Sequence, residues 1–152
     1  METKILNIGI SKISALSFSM TAESLKIEKG QDIGFDIAVS FTTPDEGGNL
    51  NFIIELNVVR DSTKKIKIAN LKVQNVFTVM NSANYIFPPK MPGGPPEIDS
   101  ILVKFCLENA MAQTRGVWAA KTEGTPLEIV VVPLTNSDDM VLHMQGQAAK
   151  FK

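Results

Sequence analysis

Hydrophobic and polar residues alternate along the first half of the chain with a period of two. This is the pattern of a strand that has one face on a core and one face in water. The clearest run puts five large apolar residues on one side: Ile33, Phe35, Ile37, Val39 and Phe41. Similar runs occupy residues 13–21, 49–61 and 65–80, so the sequence predicts three or four long antiparallel strands joined by hairpins.

The last of these runs changes phase in its middle. Ile66 and Ile68 share one side, whereas from Leu71 onward the apolar residues fall on positions of the other parity. A shift of one residue within a long strand is typical of a β-bulge. We therefore expect a bulge near Ala69 and Asn70.

A segment rich in proline and glycine follows, over residues 88–96, and it can belong neither to a helix nor to a central strand. Large apolar residues precede it or lie within it, among them Tyr85, Phe87 and Met91. Two explanations remain open at this stage. The apolar residues either pack locally beneath the prolines or form a surface that receives apolar segments of a partner.

The next segment predicts a helix from about Glu97 to Lys121 with two apolar stripes. The first stripe is Ile98, Ile101, Leu102, Phe105 and Ala112. The second is Val103, Leu107, Ala110, Met111, Thr114, Val117 and Trp118. A helix that covers one sheet needs a single apolar stripe. The second stripe is explained by a thick monomer core or by contact with another subunit, and we favour contact with another subunit.

The C-terminal part contains the apolar run at residues 127–134 and then a weak helical pattern. The run is compatible with a short strand, in which Pro133 indicates an edge or irregular end. Asn136 or Ser137 is a candidate N-cap for a short helix that frays beyond Gly146. The predicted fold class is therefore α+β: one domain, residues 1–152, with a four-stranded antiparallel sheet, a long helix and a short C-terminal helix.

The amino-acid composition argues against several kinds of partner and location. The net charge is −1, which argues against nucleic acid as a partner because nucleic-acid binding usually requires a basic face. No apolar run is long enough for membrane insertion, and the N-terminal residues lack the features of a secretory signal. A single cysteine is compatible with a reducing compartment. We expect a cytoplasmic protein.

The sequence offers little for catalysis. His143 is the one histidine and lies in the predicted tail, and Cys106 lies in an apolar stretch without cationic neighbours. No set of residues has the spacing of metal ligands, and no phosphate-binding loop is present. We therefore predict no catalytic residue, no metal and no cofactor. A small-ligand or enzymatic domain with the proline-rich loop as a lid is the least favoured alternative.

The second half of the chain resembles the SecB-type protein-export chaperones. The resemblance is carried by a strand-like run with an aromatic residue at Phe77, by the long helix that closes with Arg115 and Gly116, and by an apolar segment with Pro133 before a short helix. It covers about 110–130 residues. The proline-rich loop, the longer link at residues 121–126 and the absence of a strongly acidic tail depart from the family pattern. These departures favour a SecB-like relative, a group that includes chaperones dedicated to a toxin–antitoxin pair.

The resemblance implies an ATP-independent holdase that binds unfolded or extended polypeptides and passes them to a translocation motor or serves one dedicated client. It also implies a homo-oligomer, a dimer of dimers whose long helices lie between the dimers. The residues expected at the client are Phe77, Tyr85, Phe87, Met91 and Trp118. Those expected at the oligomer interface are Ile101, Phe105, Glu108, Ala112 and Arg115. The main alternative is a structural or adaptor protein of the same fold with one dedicated protein partner.

Overall fold

The computed structural model describes residues 6–42, 48–61 and 63–141. Four long strands come first. A hairpin of two short strands follows, then one long helix and the start of a short helix at residues 137–141. Their bounds are β1 Ile8–Met20, β2 Ile33–Thr42, β3 Asn49–Arg60, β4 Ile66–Val79, β5 Ile86–Phe87, β6 Glu97–Ile98 and α1 Ser100–Thr122. Short 3-10 turns lie at Ala22–Lys26, Ser82–Asn84 and Pro126–Ile129. The predicted α+β class is confirmed.

The alternating pattern determines which side of the sheet carries the core. In β3 every second residue is fully buried, and this set is Leu50, Phe52, Ile54, Leu56 and Val58. The intervening positions point away from the core and include Glu55 and Asn57, whose side-chain oxygens accept hydrogen bonds from Asn70 of β4. The sheet therefore has one apolar face, which α1 covers, and one polar face.

The four long strands are antiparallel in the order β1–β4–β3–β2. Two of the predicted hairpins exist, β2–β3 and β3–β4, but the prediction that hairpins join all strands is wrong for the first connection. That connection, residues 21–32, crosses the end of the sheet: Thr21 N donates to the Ile68 carbonyl of β4, and Glu23 forms an ion pair with Arg60 of β3 at 3.0 Å. We call this segment the crossover.

Bulges adjust two strands. In β4 the pairing with β3 skips Ile68, so the predicted bulge is confirmed one residue earlier than expected. The edge strand β1 has two irregularities, and the second one leaves Leu16 without a paired residue between Ala15 and Ser17. Leu16 is therefore exposed and not part of the same inward row as Phe18 and Met20, which both pack against the core.

The helix α1 begins three residues later than predicted. Glu97 and Ile98 pair with Ile86 and Phe87 as a hairpin, and Asp99 then caps the helix by accepting a hydrogen bond from Ile101 N at 2.9 Å. The proline-rich residues 88–96 form the loop of this hairpin. The helix ends at Thr122, one residue beyond the predicted end.

The helix runs antiparallel to β4. At its N-terminal end Asp99 N donates to the Tyr85 carbonyl shortly after β4 ends. At its C-terminal end the Trp118 ring makes edge-to-face contacts with Phe18 of β1 and Phe35 of β2. Among the described residues, no helix is long and apolar enough to cross a membrane.

The apolar run after α1 is not a strand. It begins with the 3-10 turn Pro126–Ile129, whose start is capped by the Thr125 hydroxyl accepting from Leu127 N at 3.2 Å. From Val130 it continues as extended chain without strand pairing. Asn136 then caps the short helix by accepting a hydrogen bond from Asp138 N at 2.9 Å, as predicted. The remainder of the predicted helix, with His143, lies outside the described residues.

Candidate functional site

One long side of α1 has no covering layer among the residues that the structure describes. The side that faces the sheet is buried: Leu102, Cys106, Leu107, Ala110, Met111, Thr114, Trp118 and Thr122. On the opposite side the side chain of Ile101 is 65% exposed and that of Phe105 is 41% exposed. Ala112, Gly116 and Ala119 are exposed along the same side. We call Ile101, Phe105, Glu108, Ala112, Arg115, Gly116 and Ala119 the bare stripe.

The two stripes read from the sequence thus have different positions. The prediction that the second stripe contacts another subunit is wrong, because Leu107, Met111 and Trp118 of this stripe are buried against the sheet of their own chain. The first stripe divides, because Leu102 is buried whereas Ile101 and Phe105 point outward. All five residues predicted at the oligomer interface lie on the bare stripe. Whether a second copy covers them stays a prediction.

A second apolar surface lies at the C-terminal end of α1. Residues 129–134 follow or close the 3-10 turn and form no strand: Val130 and Val132 point into the core, whereas Val131 is 79% exposed and Leu134 is 85% exposed. The indole N–H of Trp118 donates to the Val130 carbonyl at 2.8 Å and fixes this segment against the helix. We call residues 129–134 the apolar strap.

Two grooves flank the apolar strap and share Val130 and Val131. The first groove, of about 470 Å³, lies between the strap and the last turns of α1. The second, of about 380 Å³, lies between the strap, the crossover and the start of β2. The floor of the first groove includes Trp118, and the wall of the second includes Ile33 and Phe35. The strap therefore forms a ridge with an apolar trough on each side.

The charges around the grooves are sparse and of both signs. Arg115, Glu123 and Glu128 border the first groove, and Glu28 and Lys29 border the second. Apolar residues make up most of the remaining walls. Such a surface binds through shape and apolar contact and carries no cluster of groups that could drive proton transfer.

The residues predicted to contact a client fall into two groups. Phe77, Tyr85 and Trp118 are core residues, and Trp118 is 3% exposed. These three cannot present a surface to a client as the chain is folded here, although Trp118 underlies the first groove. They were expected at the client from the resemblance, which does not show how deeply each side chain is buried. Packing against Phe18 and Phe35 is what buries Trp118.

Phe87 and Met91 are exposed, and both belong to the β5–β6 hairpin. Met91 is 73% exposed at the loop, and Lys90 forms an ion pair with Glu97 across the base of the hairpin at 2.8 Å. Half-buried Ile86 and Ile98 pack against the core and anchor the hairpin. Contact of Phe87 and Met91 with a client stays a prediction.

The apolar strap and the crossover were not among the predicted site residues. The sequence did contain a signal for the strap, the apolar run at residues 127–134, but the run was interpreted as compatible with a short strand. For the crossover there was no local signal. Its position depends on the strand order, which brings residues 27–31 beside the strap.

The described residues contain no arrangement that suggests catalysis. Burial in the core raises the pKa of the Cys106 thiol to about 12, so the thiol stays protonated and unreactive at neutral pH. No group of three or more potential metal-binding side chains occurs in the described part of the chain. Asp138 accepts a hydrogen bond from the Lys104 ammonium at 3.0 Å, and this contact raises the pKa of Lys104.

Comparison with known proteins identifies the fold. The sequence matches no protein-family model and no curated protein. Among solved structures, the chain is similar to the SecB-like chaperone Rv1957 of Mycobacterium tuberculosis, solved in complex with a ChAD peptide from the HigA1 antitoxin. The match covers 84% of this chain and 90% of that chain, with a TM-score of 0.53 and 9% sequence identity. The chain has the SecB-like fold expected from the resemblance.

Proposed function

We propose that this protein is an ATP-independent chaperone that holds non-native polypeptides, and that an extended segment of the client binds along the apolar strap. The observation that carries the proposal is the ridge of exposed apolar side chains between two apolar grooves. Exposed apolar surface of this kind marks a binding site for protein or peptide. The binding cycle needs no catalytic group and no nucleotide.

The strap also offers main-chain groups. Within the described residues, the backbone N–H groups of Val131, Val132 and Leu134 donate no hydrogen bond to another backbone group. An extended peptide can pair with such free backbone groups and place alternate side chains in pockets on each side of the strand. Main-chain pairing is independent of client sequence, which suits a protein that receives many different unfolded segments.

The similarity to Rv1957 supports polypeptide as the ligand class, because that chaperone was solved with a peptide bound. We propose a cytoplasmic, homo-oligomeric holdase, a dimer of dimers, whose clients are either export substrates or a dedicated client such as a toxin–antitoxin pair. Transfer of clients to a translocation motor stays a prediction of the resemblance.

An adaptor with one dedicated protein partner is the second candidate. The β5–β6 hairpin favours the adaptor. It is anchored, it displays Phe87 and Met91, and it lies near the N-terminal end of α1, whereas the first groove lies at the C-terminal end. An adaptor of this kind binds one folded partner tightly and leaves generic unfolded chains unbound.

The direct test is aggregation of a chemically denatured client upon dilution, followed by light scattering. We expect the full chain at equimolar ratio to suppress scattering by more than about half. Val131→Asp should weaken client binding by about tenfold, since burying a valine side chain contributes about 1.5 kcal/mol. Met80→Asp is the matched control, because Met80 is exposed but borders neither groove.

Two outcomes count against the holdase. If the wild-type chain leaves scattering unchanged but binds one folded protein, the adaptor candidate replaces it. If Val131→Asp and Met80→Asp both act like the wild type, the client does not bind along the apolar strap.

A further inference from the structure

The loop of the β5–β6 hairpin, residues 88–96, is unusually rich in proline. Five of its residues are prolines and two are glycines, and the other two are Lys90 and Met91. Most of these residues are exposed to solvent. We call residues 88–96 the proline loop. An exposed apolar loop on an anchored hairpin is typical of a surface that contacts another molecule.

A single antiparallel register runs through the hairpin. Asp99 N donates to the Tyr85 carbonyl at 2.7 Å, and two residues further along each strand Phe87 pairs with Glu97. In an antiparallel ladder the pairs that exchange backbone hydrogen bonds recur at every second position. The ladder therefore requires its next exchange of hydrogen bonds two residues further into the loop.

That next exchange falls on Pro89 and Pro95, which face each other in the same register. Proline has no backbone N–H, so neither residue can donate to the carbonyl of the other. The ladder consequently leaves the carbonyl oxygens of Pro89 and Pro95 without a donor. Both residues are exposed, so these two acceptors are available to a partner.

The conformation of the proline loop is fixed by contacts within it. Gly94 N donates to the Met91 carbonyl at 3.0 Å, and Gly93 between them has a φ of 78°, as in a type II β-turn. The Lys90 ammonium pairs with the Glu97 carboxylate at 2.8 Å. A loop that is ordered before it binds loses little conformational entropy on binding. The proline loop is therefore suited to recognition by a preformed surface.

We propose that the proline loop docks into an aromatic-lined groove of a different, folded protein. Its proline pairs, Pro88–Pro89 and Pro95–Pro96, have the fixed φ of a polyproline II segment. Aromatic rings pack on proline rings in grooves of this kind, and tryptophan N–H and tyrosine hydroxyl groups supply hydrogen-bond donors. Such donors match the two free carbonyl oxygens. This inference rests on the docking role of the hairpin in the adaptor candidate and names the binding surface of the partner.

A second copy of this chain does not offer such a groove. The chain contains one tryptophan and one tyrosine, and Trp118 and Tyr85 are each 3% exposed. The indole N–H of Trp118 already donates to the Val130 carbonyl. A copy of the chain therefore presents no exposed tryptophan or tyrosine to the proline loop, and the partner is a different protein.

A lipid surface also fits the proline loop less well. The hydrocarbon of a bilayer contains no donor for the carbonyl oxygens of Pro89 and Pro95, and burial of an acceptor without a donor is unfavourable. Loops that bind anionic lipids carry basic residues near the surface. The one basic residue of the loop, Lys90, is neutralised by Glu97.

Binding to model grooves tests the proposal with the full chain. Purified SH3, WW and EVH1 domains are the probes, because each has an aromatic-lined groove for proline-rich segments. Each isotope-labelled domain is titrated with the unlabelled chain, and its indole N–H resonances are followed by NMR. We expect saturable shifts in at least one of these domains. Absence of binding to all of them would contradict the proposal.

The decisive variant combines Pro89→Ala with Pro95→Ala, because alanine supplies the N–H groups that the ladder lacks. The hairpin can then continue its pairing, so thermal unfolding should occur at or above the wild-type temperature. Probe binding should be weakened by about tenfold or more, as for other residues at the centre of an interface. Pro126→Ala, at an exposed proline beside the other end of α1, is the matched control and should bind like the wild type. Equal binding by the double variant and the wild type would overturn the proposal.

Two measurements separate the groove from the other partners. Sedimentation with vesicles of phosphatidylcholine and phosphatidylserine should leave the wild-type chain in the supernatant. Vesicle binding that is lost when Phe87→Ser is combined with Met91→Ser would assign the loop to a membrane and contradict the proposal. The solution mass of the Pro89→Ala, Pro95→Ala variant should equal that of the wild type. A smaller mass would assign the loop to a second copy of the chain.

Client holding is measured on the same samples, so this proposal and the holdase can fail separately. The Pro89→Ala, Pro95→Ala variant should suppress client aggregation as well as the wild type does. Probe binding without suppression supports groove docking and contradicts the holdase, whereas suppression without probe binding contradicts groove docking alone. Loss of suppression in the double variant would assign the proline loop to the client and overturn the proposal.

Discussion

The two long sides of α1 differ in what they require from the rest of the molecule. The side that faces the sheet carries large residues such as Leu107, Met111 and Trp118, and each has a neighbour in its own chain. The bare stripe carries Ile101 and Phe105 beside alanine and glycine, and among the described residues only its edge has a neighbour, where Glu108 accepts a hydrogen bond from Ser137. The first side stabilises the protomer, and the second is available for association.

This comparison predicts that substitutions on the two sides differ in how their effects depend on protein concentration. Substitutions on the sheet-facing side should change the free energy of unfolding by the same amount at every concentration. Substitutions on the bare stripe should act mainly through association, which adds to apparent stability only at concentrations where the oligomer forms.

The largest effect is expected for Trp118→Ala. Removing the ring leaves a cavity beneath Phe18 and Phe35 and should lower the free energy of unfolding by about 3–5 kcal/mol in urea titrations. Trp118→Phe is the control: it keeps most of the volume, loses the hydrogen bond to the Val130 carbonyl, and should cost about 1 kcal/mol. A loss below about 1 kcal/mol for the alanine variant would contradict the burial of this side chain.

A smaller effect is expected for Asp99→Ala at the start of the helix. The substitution removes the acceptor for Ile101 N and should cost about 1 kcal/mol at low and high protein concentration alike. Asp99→Asn keeps a capping oxygen and should lower the free energy of unfolding by only about a few tenths of a kcal/mol. Equal losses for both variants would show that the cap does not stabilise α1.

Gly116→Ala should act in opposite directions at the two concentrations. In the dilute protein it should raise the free energy of unfolding by up to about 1 kcal/mol, because alanine is the better helix former and its Cβ meets no atom. In the concentrated protein the methyl group should weaken association. Destabilisation of the dilute protein would mean that Gly116 has a structural role within the protomer.

The smallest effect on the dilute chain is expected for Phe105→Ala, within about 0.5 kcal/mol of the wild type, as is usual for surface positions. At high concentration the same variant should lose the stabilisation that association contributes. A loss of several kcal/mol in the dilute protein would place Phe105 in the protomer core and remove the difference between the two sides of α1.

The sequence predicted those features that depend on neighbouring residues. The period of two identified the strands, the phase change located the bulge of β4 to within one residue, and Asn136 was recognised as a cap. Each depends on backbone geometry over a few positions. The two apolar stripes of α1 were also visible, since helical periodicity is a local property.

Features that depend on distant contacts were not predictable in the same way. The crossover follows from the strand order, which is decided by how the sheet and α1 pack together. The burial of Phe77, Tyr85 and Trp118 likewise depends on which of two apolar sides receives the sheet. The second groove forms only because the crossover lies beside the apolar strap, and these two segments are far apart in sequence.

The most direct measurement of the central claim is the solution mass of the full chain by light scattering. The protomer mass is 16.6 kDa. If a second copy covers the bare stripe, the measured mass is at least twice this value at micromolar concentration, and it falls to a smaller multiple of the protomer mass for Gly116→Leu. A wild-type mass of one protomer across the concentration range would contradict the account.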